Sequence, residues 1–149
     1  MNDIKNMNIK IKKLVDNAKI PIYGSIGATG ADIHALDDIK IKSGELAYIK
    51  TGIAIEIPNG FFIMMAPRGS LCLKKHLDMP HSVGIFDEDF RGEYIVPLRN
   101  LGQEDVLIEK GERIAQLILM PYMKAEFNEV SELSETERGS GAFGSTGKF

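Results

Sequence analysis

Five short stretches of this chain combine residue types that could do phosphate chemistry. In Gly84-Ile85-Phe86-Asp87-Glu88-Asp89-Phe90-Arg91-Gly92 an apolar run passes directly into acids, a ring and a base. A carboxylate at Asp87, behind buried-looking Ile85 and Phe86, could stand at a strand end, face a cleft and orient water as a base; an exposed acidic turn is the plainer alternative. Ala66-Pro67-Arg68-Gly69-Ser70-Leu71 places a guanidinium and a small hydroxyl-bearing turn before a short helical stretch. Backbone amides beside an arginine make an anion site, and an ordinary Pro-Gly turn explains the same residues.

Gln116 interrupts the apolar run of Gly111-Glu112-Arg113-Ile114-Ala115-Gln116-Leu117-Ile118-Leu119, so it either satisfies a neighbouring backbone group or reaches a ligand. Ala28-Thr29-Gly30-Ala31-Asp32-Ile33 carries an acid inside a strand-like segment, where a structural role is the simpler expectation. The end of the chain, from Glu137 to Phe149, is rich in glycine and serine. It satisfies G-x-G-x-x-G from Gly139 to Gly144, but a dinucleotide fold would need a helix after it, and the chain stops instead. A Walker A loop would need glycine in place of Ala142 and Ser or Thr in place of Phe149. What remains is a frayed terminus or a lid, whose glycine amides wrap an anion, whose Arg138 and Lys148 add charge, and whose Phe143 covers a base.

The elements that must hold these residues read as short strands. Apolar and polar residues alternate around Ile9 and Ile11, through Ile53, Ile55 and Ile57, and at Val106 and Ile108. Turn residues separate them at Lys42-Ser43-Gly44, Pro58-Asn59-Gly60, Asn100 to Gln103 and Lys110-Gly111-Glu112. Such spacing suggests a sandwich or barrel. Helix is minor: one or two turns over Ser70–Lys75 behind a serine N-cap, and a weaker candidate over Val130–Glu135.

With 149 residues, 44% hydrophobic and 26% charged, the chain suits one domain, 1–136, with 137–149 as a mobile tail of the same domain. The 18 basic and 21 acidic residues form no long block of one sign, which argues against nucleic acid and membrane surfaces as partners. Cys72 is the single cysteine, so no intramolecular disulfide or thiolate zinc site can form, and the N-terminus lacks a secretory apolar core. A soluble protein of the cytoplasm is expected.

Taken together and in this order, the five stretches resemble the five signature motifs of trimeric dUTPases, from Ala28 to Gly147. The resemblance implies a jelly-roll, β-clip-like subunit assembled as a homotrimer whose active sites are shared between chains. It implies hydrolysis of dUTP to dUMP and pyrophosphate. The residue matching the family's aspartate, Asp87, would activate the water that attacks the α-phosphorus, and Mg²⁺ would be held by the triphosphate and water with no protein ligand. By the same matching Arg68, Gly69, Ser70 and Gln116 position phosphates and water, and Arg138 meets the γ-phosphate. Phe143, with Gly144, Ser145 and Thr146, closes over the substrate. Uracil is read by the hairpin that contains His81, Ser82 and Gly84, while Phe90 packs on the deoxyribose and Asp32 organises neighbouring groups. Phe90 stands where the family usually has tyrosine, His81 where it often has asparagine, and Arg-Gly-Ser where many members have Arg-Ser-Gly. A dCTP deaminase would be expected to carry a glutamate as base and to lack the Phe-bearing tail, and a non-catalytic nucleotide-binding trimer would bind dUTP without releasing pyrophosphate.

Overall fold

The computed structural model describes residues 7–142. It is almost entirely strand. In chain order the elements are β1 (Lys10–Lys13), β2 (Ile22–Tyr23), β3 (Ala31–His34), β4 (Ile39–Ile41), β5 (Leu46–Lys50), β6 (Ile53–Glu56), β7 (Phe61–Pro67), α1 (Gly69–Lys75), β8 (Leu77–Asp78), β9 (Gly84–Phe86), β10 (Ile95–Asn100), β11 (Val106–Ile108) and β12 (Arg113–Pro121). The all-β expectation with one short helix holds. The strands are distributed over four antiparallel sheets, ordered β1-β6, β5-β10-β8, β11-β4 and β2-β3-β12-β7-β9, with no single closed barrel among the described residues.

The packing follows from the alternation. On β10 every second residue is buried, with Val96, Leu98 and Asn100 inward, as period two requires. Ile33, Ile41, Ile53, Met65, Leu77, Tyr94, Ile108 and Ile114 join them in one core fed by all four sheets. Gly52 shows how close this packing is: it has φ +70°, and a Cβ there would come within 2.9 Å of both Ala18 and Val15 side chains.

Two local expectations are corrected. The helix begins at Gly69, its N-cap is Arg68 with no side-chain capping bond, and Ser70 lies inside the first turn; Leu71 N–H and Cys72 N–H both reach back to the Arg68 carbonyl. The stretch Val130–Glu135 is not helical. Val130 and Leu133 are exposed there, so no tertiary contact offsets the cost of nucleating a helix so short.

Candidate active site

The five-stranded sheet builds the first cleft. β12 lies between β3 and β7, which sets Gln116 opposite Asp32 on one side and opposite Ala66 on the other. β7 then runs out through Pro67 to Arg68 and α1, so the arginine turn stands over the same face. The result is a cavity of about 530 Å³ in which Asp32, Arg68, Gly69, Ser70 and Gln116 meet, so that three of the five stretches share one surface. Asp32 is 7% exposed and would be costly to bury as an unpaired anion. Its Oδ1 lies 3.0 Å from Arg68 Nε and its Oδ2 accepts from Arg113 Nη1 at 3.2 Å. Gln116 Nε2 donates to the Pro67 carbonyl at 3.2 Å, which fixes the amide beside the arginine turn.

Asp87 lies elsewhere. It follows β9, whose Phe86 pairs with Ile63 near the start of β7, whereas Arg68 follows the end of β7. At the rise of an extended strand the two residues are separated by about 20 Å along the sheet. Asp87 is exposed and lines a second cavity of about 510 Å³ with Phe62, Ile85, Glu88, Asp89 and Tyr122. Its loop is tied down by its neighbour: Glu88 Oε2 accepts from Gly60 N–H and from Tyr122 Oη, each at 2.8 Å. Those two donors, the Gly60 amide first, hold the Glu88 carboxyl below the usual range. The same bond to Glu88 pushes the Tyr122 hydroxyl up.

The hairpin leading to Asp87 has an irregular tip. Ser82 has φ 64°, Ser82 N–H donates to Met79 O and Val83 N–H to His81 O. His81 and Ser82 are exposed, while Gly84 is buried where a Cβ would lie 3.3 Å from Met65 and from the Phe86 ring and 3.4 Å from His81 Nε2. Phe90 keeps an open face, being 36% exposed. Its other side rests on an aromatic base in which Phe86 and Tyr94 stack at 4.0 Å, with Phe90 ring centroids 5.5 Å from Phe86 and 5.9 Å from Tyr94. Tyr94 is fully buried, its hydroxyl has no partner among the described residues, and burial pushes its ionisation up.

One chain thus brings Asp32, Arg68, Gly69, Ser70 and Gln116 together and sets Asp87 apart with Phe90 and the His81–Gly84 hairpin on its approach. Arg138 is exposed in a turn, where Gly141 N–H donates to its carbonyl, and lines neither cavity. Phe143, Gly144, Ser145 and Thr146 lie outside the described residues. Arg113 is the cleft residue that sequence reasoning passed over.

Fold and clefts together define a class: an all-β protein with an arginine-lined cavity suited to phosphate and, at a distance, a carboxylate cavity next to a ring with an open face. The dUTPase family model matches residues 16–147. A deoxyuridine 5'-triphosphate nucleotidohydrolase of Hydrogenobaculum sp. is 46% identical over 142 residues, covering 95% of this chain and 99% of its own length. One from Nautilia profundicola is likewise 46% identical, covering 95% and 100%. Among solved structures, a Staphylococcus bacteriophage 80alpha dUTPase with dUpNHpp superposes with a TM-score of 0.88 at 28% identity, covering 95% of this chain and 99% of that one. The chain belongs to the dUTPase family.

Proposed function

We propose that the protein hydrolyses dUTP to dUMP and pyrophosphate, and that it does so as a homotrimer with each active site built from more than one chain. The observation that carries this reading is the division of labour within one subunit. The arginine cavity can bind a phosphate chain, Asp87 can orient water, and the roughly 20 Å of sheet between them keeps one chain from doing both at a single phosphorus.

In the assembled site Arg68, the turn at Gly69 and Ser70, and Gln116 hold phosphate oxygens from one subunit. The Asp87 carboxylate of another accepts a proton from water and aims it at the α-phosphorus, in line with the departing pyrophosphate. Phe90 presents its open face to the deoxyribose, where a 2′-hydroxyl would collide, and the hairpin at His81, Ser82 and Gly84 reads the uracil edge. Arg138, with Phe143, Gly144, Ser145 and Thr146, covers the bound nucleotide. The cleft's donor set suits a cation brought in by the substrate: Asp32 is the one buried carboxylate among the described residues, and both its oxygens are taken by guanidinium groups. A Mg²⁺ ion would then be held by the substrate and water, and would supply neutralisation of the phosphate charge.

The test is pyrophosphate release from dUTP, dCTP, dTTP and UTP with and without Mg²⁺, in the parent and in Asp87→Asn. Turnover should be confined to dUTP and fall by a factor on the order of 100 to 10,000 in the variant, while trimer mass and dUTP binding persist. An Asp87→Asn protein that turns over at the parental rate would reject the base assignment.

A further inference from the structure

β12 changes register where it enters the cleft. Arg113 pairs with His34 and Ala115 with Ile33, so two steps on β12 oppose a single step on β3 and Ile114 is the extra residue. Ile114 and Ala115 are consequently buried in succession. In an unbroken strand, residues three apart point to opposite faces. With the bulge between them, Arg113 and Gln116 come to line the same cavity.

We propose that Arg113 is a second phosphate-binding arginine of this cleft, held in place for that purpose by Asp32; the inference rests on the dUTP reading above and deepens it. Asp32 divides its two oxygens between Arg68 and Arg113, which leaves one net positive charge facing the cavity. Only Nη1 of Arg113 is engaged among the described residues, so its Nε and second Nη point no bond at the protein. The side chain is 46% exposed against 26% for Arg68, and the Arg68 guanidinium is steadied from the other side by the Arg113 carbonyl at 3.5 Å. Two guanidinium forks on a shared carboxylate match a ligand that offers several anionic oxygens in a row, which a triphosphate does and a nucleoside does not.

Two measurements test this. In Arg113→Gln, with melting temperature and trimer mass as controls, KM for dUTP should rise roughly tenfold or more while kcat moves little, and KM should become less sensitive to added salt because a charged contact is gone. Arg113→Lys should recover the salt sensitivity but only part of the affinity, since it keeps the charge and loses the fork. In the unmutated protein, modification of Arg113 by an arginine-selective dicarbonyl, followed by peptide mass spectrometry, should be slowed severalfold by dUpNHpp and by inorganic pyrophosphate. A folded Arg113→Gln with parental KM and salt dependence overturns the proposal, as does modification indifferent to both anions; Arg113 then serves only to neutralise Asp32. Failure of the unmutated protein to hydrolyse dUTP would count against the function itself, and pyrophosphate protection would still judge the anion site.

Discussion

Gly30 has no side chain because Gln116 occupies the place where one would be. A Cβ there would stand 2.5 Å from Gln116 Oε1 and 2.9 Å from Gln116 Cβ, closer than real atoms approach. Because Gln116 Cβ is fixed to β12, Gly30→Ala should push the strand as well as the Gln116 amide away from its place beside the Pro67 carbonyl. We expect kcat/KM for dUTP to fall on the order of tenfold or more, with a lower melting temperature; an alanine variant with parental kinetics would show that the position of Gln116 is immaterial. His34, across the ladder from Arg113, makes a second prediction. Burial first, then the charge of Lys19, depresses its pKa below the ordinary 6.5, and its buried Nδ1 has no partner among the described residues. As the pH drops through that window the unfolded chain takes up the proton before the folded one does, so stability declines on the acid side and is unaffected above it. Thermal melts between pH 5 and 7.5 should show a shallower acid decline in His34→Gln, and equal slopes would remove His34 from the account. Residue types alone singled out Asp32, Arg68, Asp87 and Gln116 but left plain structural readings preferred or open for each, and it was the order of the five stretches that pointed to a site. Arg113 stayed hidden because regular alternation assigns it to the face opposite Gln116, and nothing in its neighbours' types announces a bulge.

Elements position these residues through their turns as much as through their strands. Asn100, fully buried at the end of β10, donates through Nδ2 to the carbonyls of Ile41 and Glu104 at 3.1 and 2.8 Å and accepts from Gly102 N–H at 2.9 Å. It thereby stitches β10 to the end of β4 and shapes the loop toward β11. Asn100→Ala would strand the buried Ile41 carbonyl, and urea unfolding should report a loss of about 2–3 kcal/mol; a loss well under 1 kcal/mol would mean the loop rearranges around the gap. The Asn100 turn was legible as a turn, and the alternation of β6 and β11 as strands, because polar punctuation and period two are local. β2 and β8, at two residues each, are too short to carry a period, and their pairing depends on partners distant in sequence. The presence of α1 was legible, but its start and cap were not: the serine type suggested a capping hydroxyl, whereas the chain turns at Arg68 and Ser70 lines the cleft.

At the scale of the molecule, a single chain leaves much apolar surface uncovered. Beyond β12 the described chain has no regular secondary structure and leaves Met123, Phe127 and Leu133 each more than four-fifths exposed, and Ile20, Ile22, Tyr23 and Ile26 are exposed near β2. Apolar surface of this extent suits a partner, and the homotrimer proposed above would supply one. No pattern within the sequence reports this directly, because contacts between copies leave no local period, and only the order of the five motifs implied a trimer. The separation of Asp87 from Arg68 along β7 gives the idea a decisive form. On that proposal, Arg68→Ala and Asp87→Asn should each inactivate every site of the homotrimer, one by spoiling the phosphate cleft and the other by removing the base. If each site takes its arginine cleft from one chain and its carboxylate from another, subunits of the two variants refolded together should regain activity. Random assembly of an equal mixture leaves about one quarter of the sites with both groups intact. Mixing the same two variants as folded trimers, under conditions that prevent exchange of subunits, should restore nothing. Were both groups drawn from the same chain, no mixture could place a good arginine beside a good aspartate, and the refolded sample would stay as inactive as its parents.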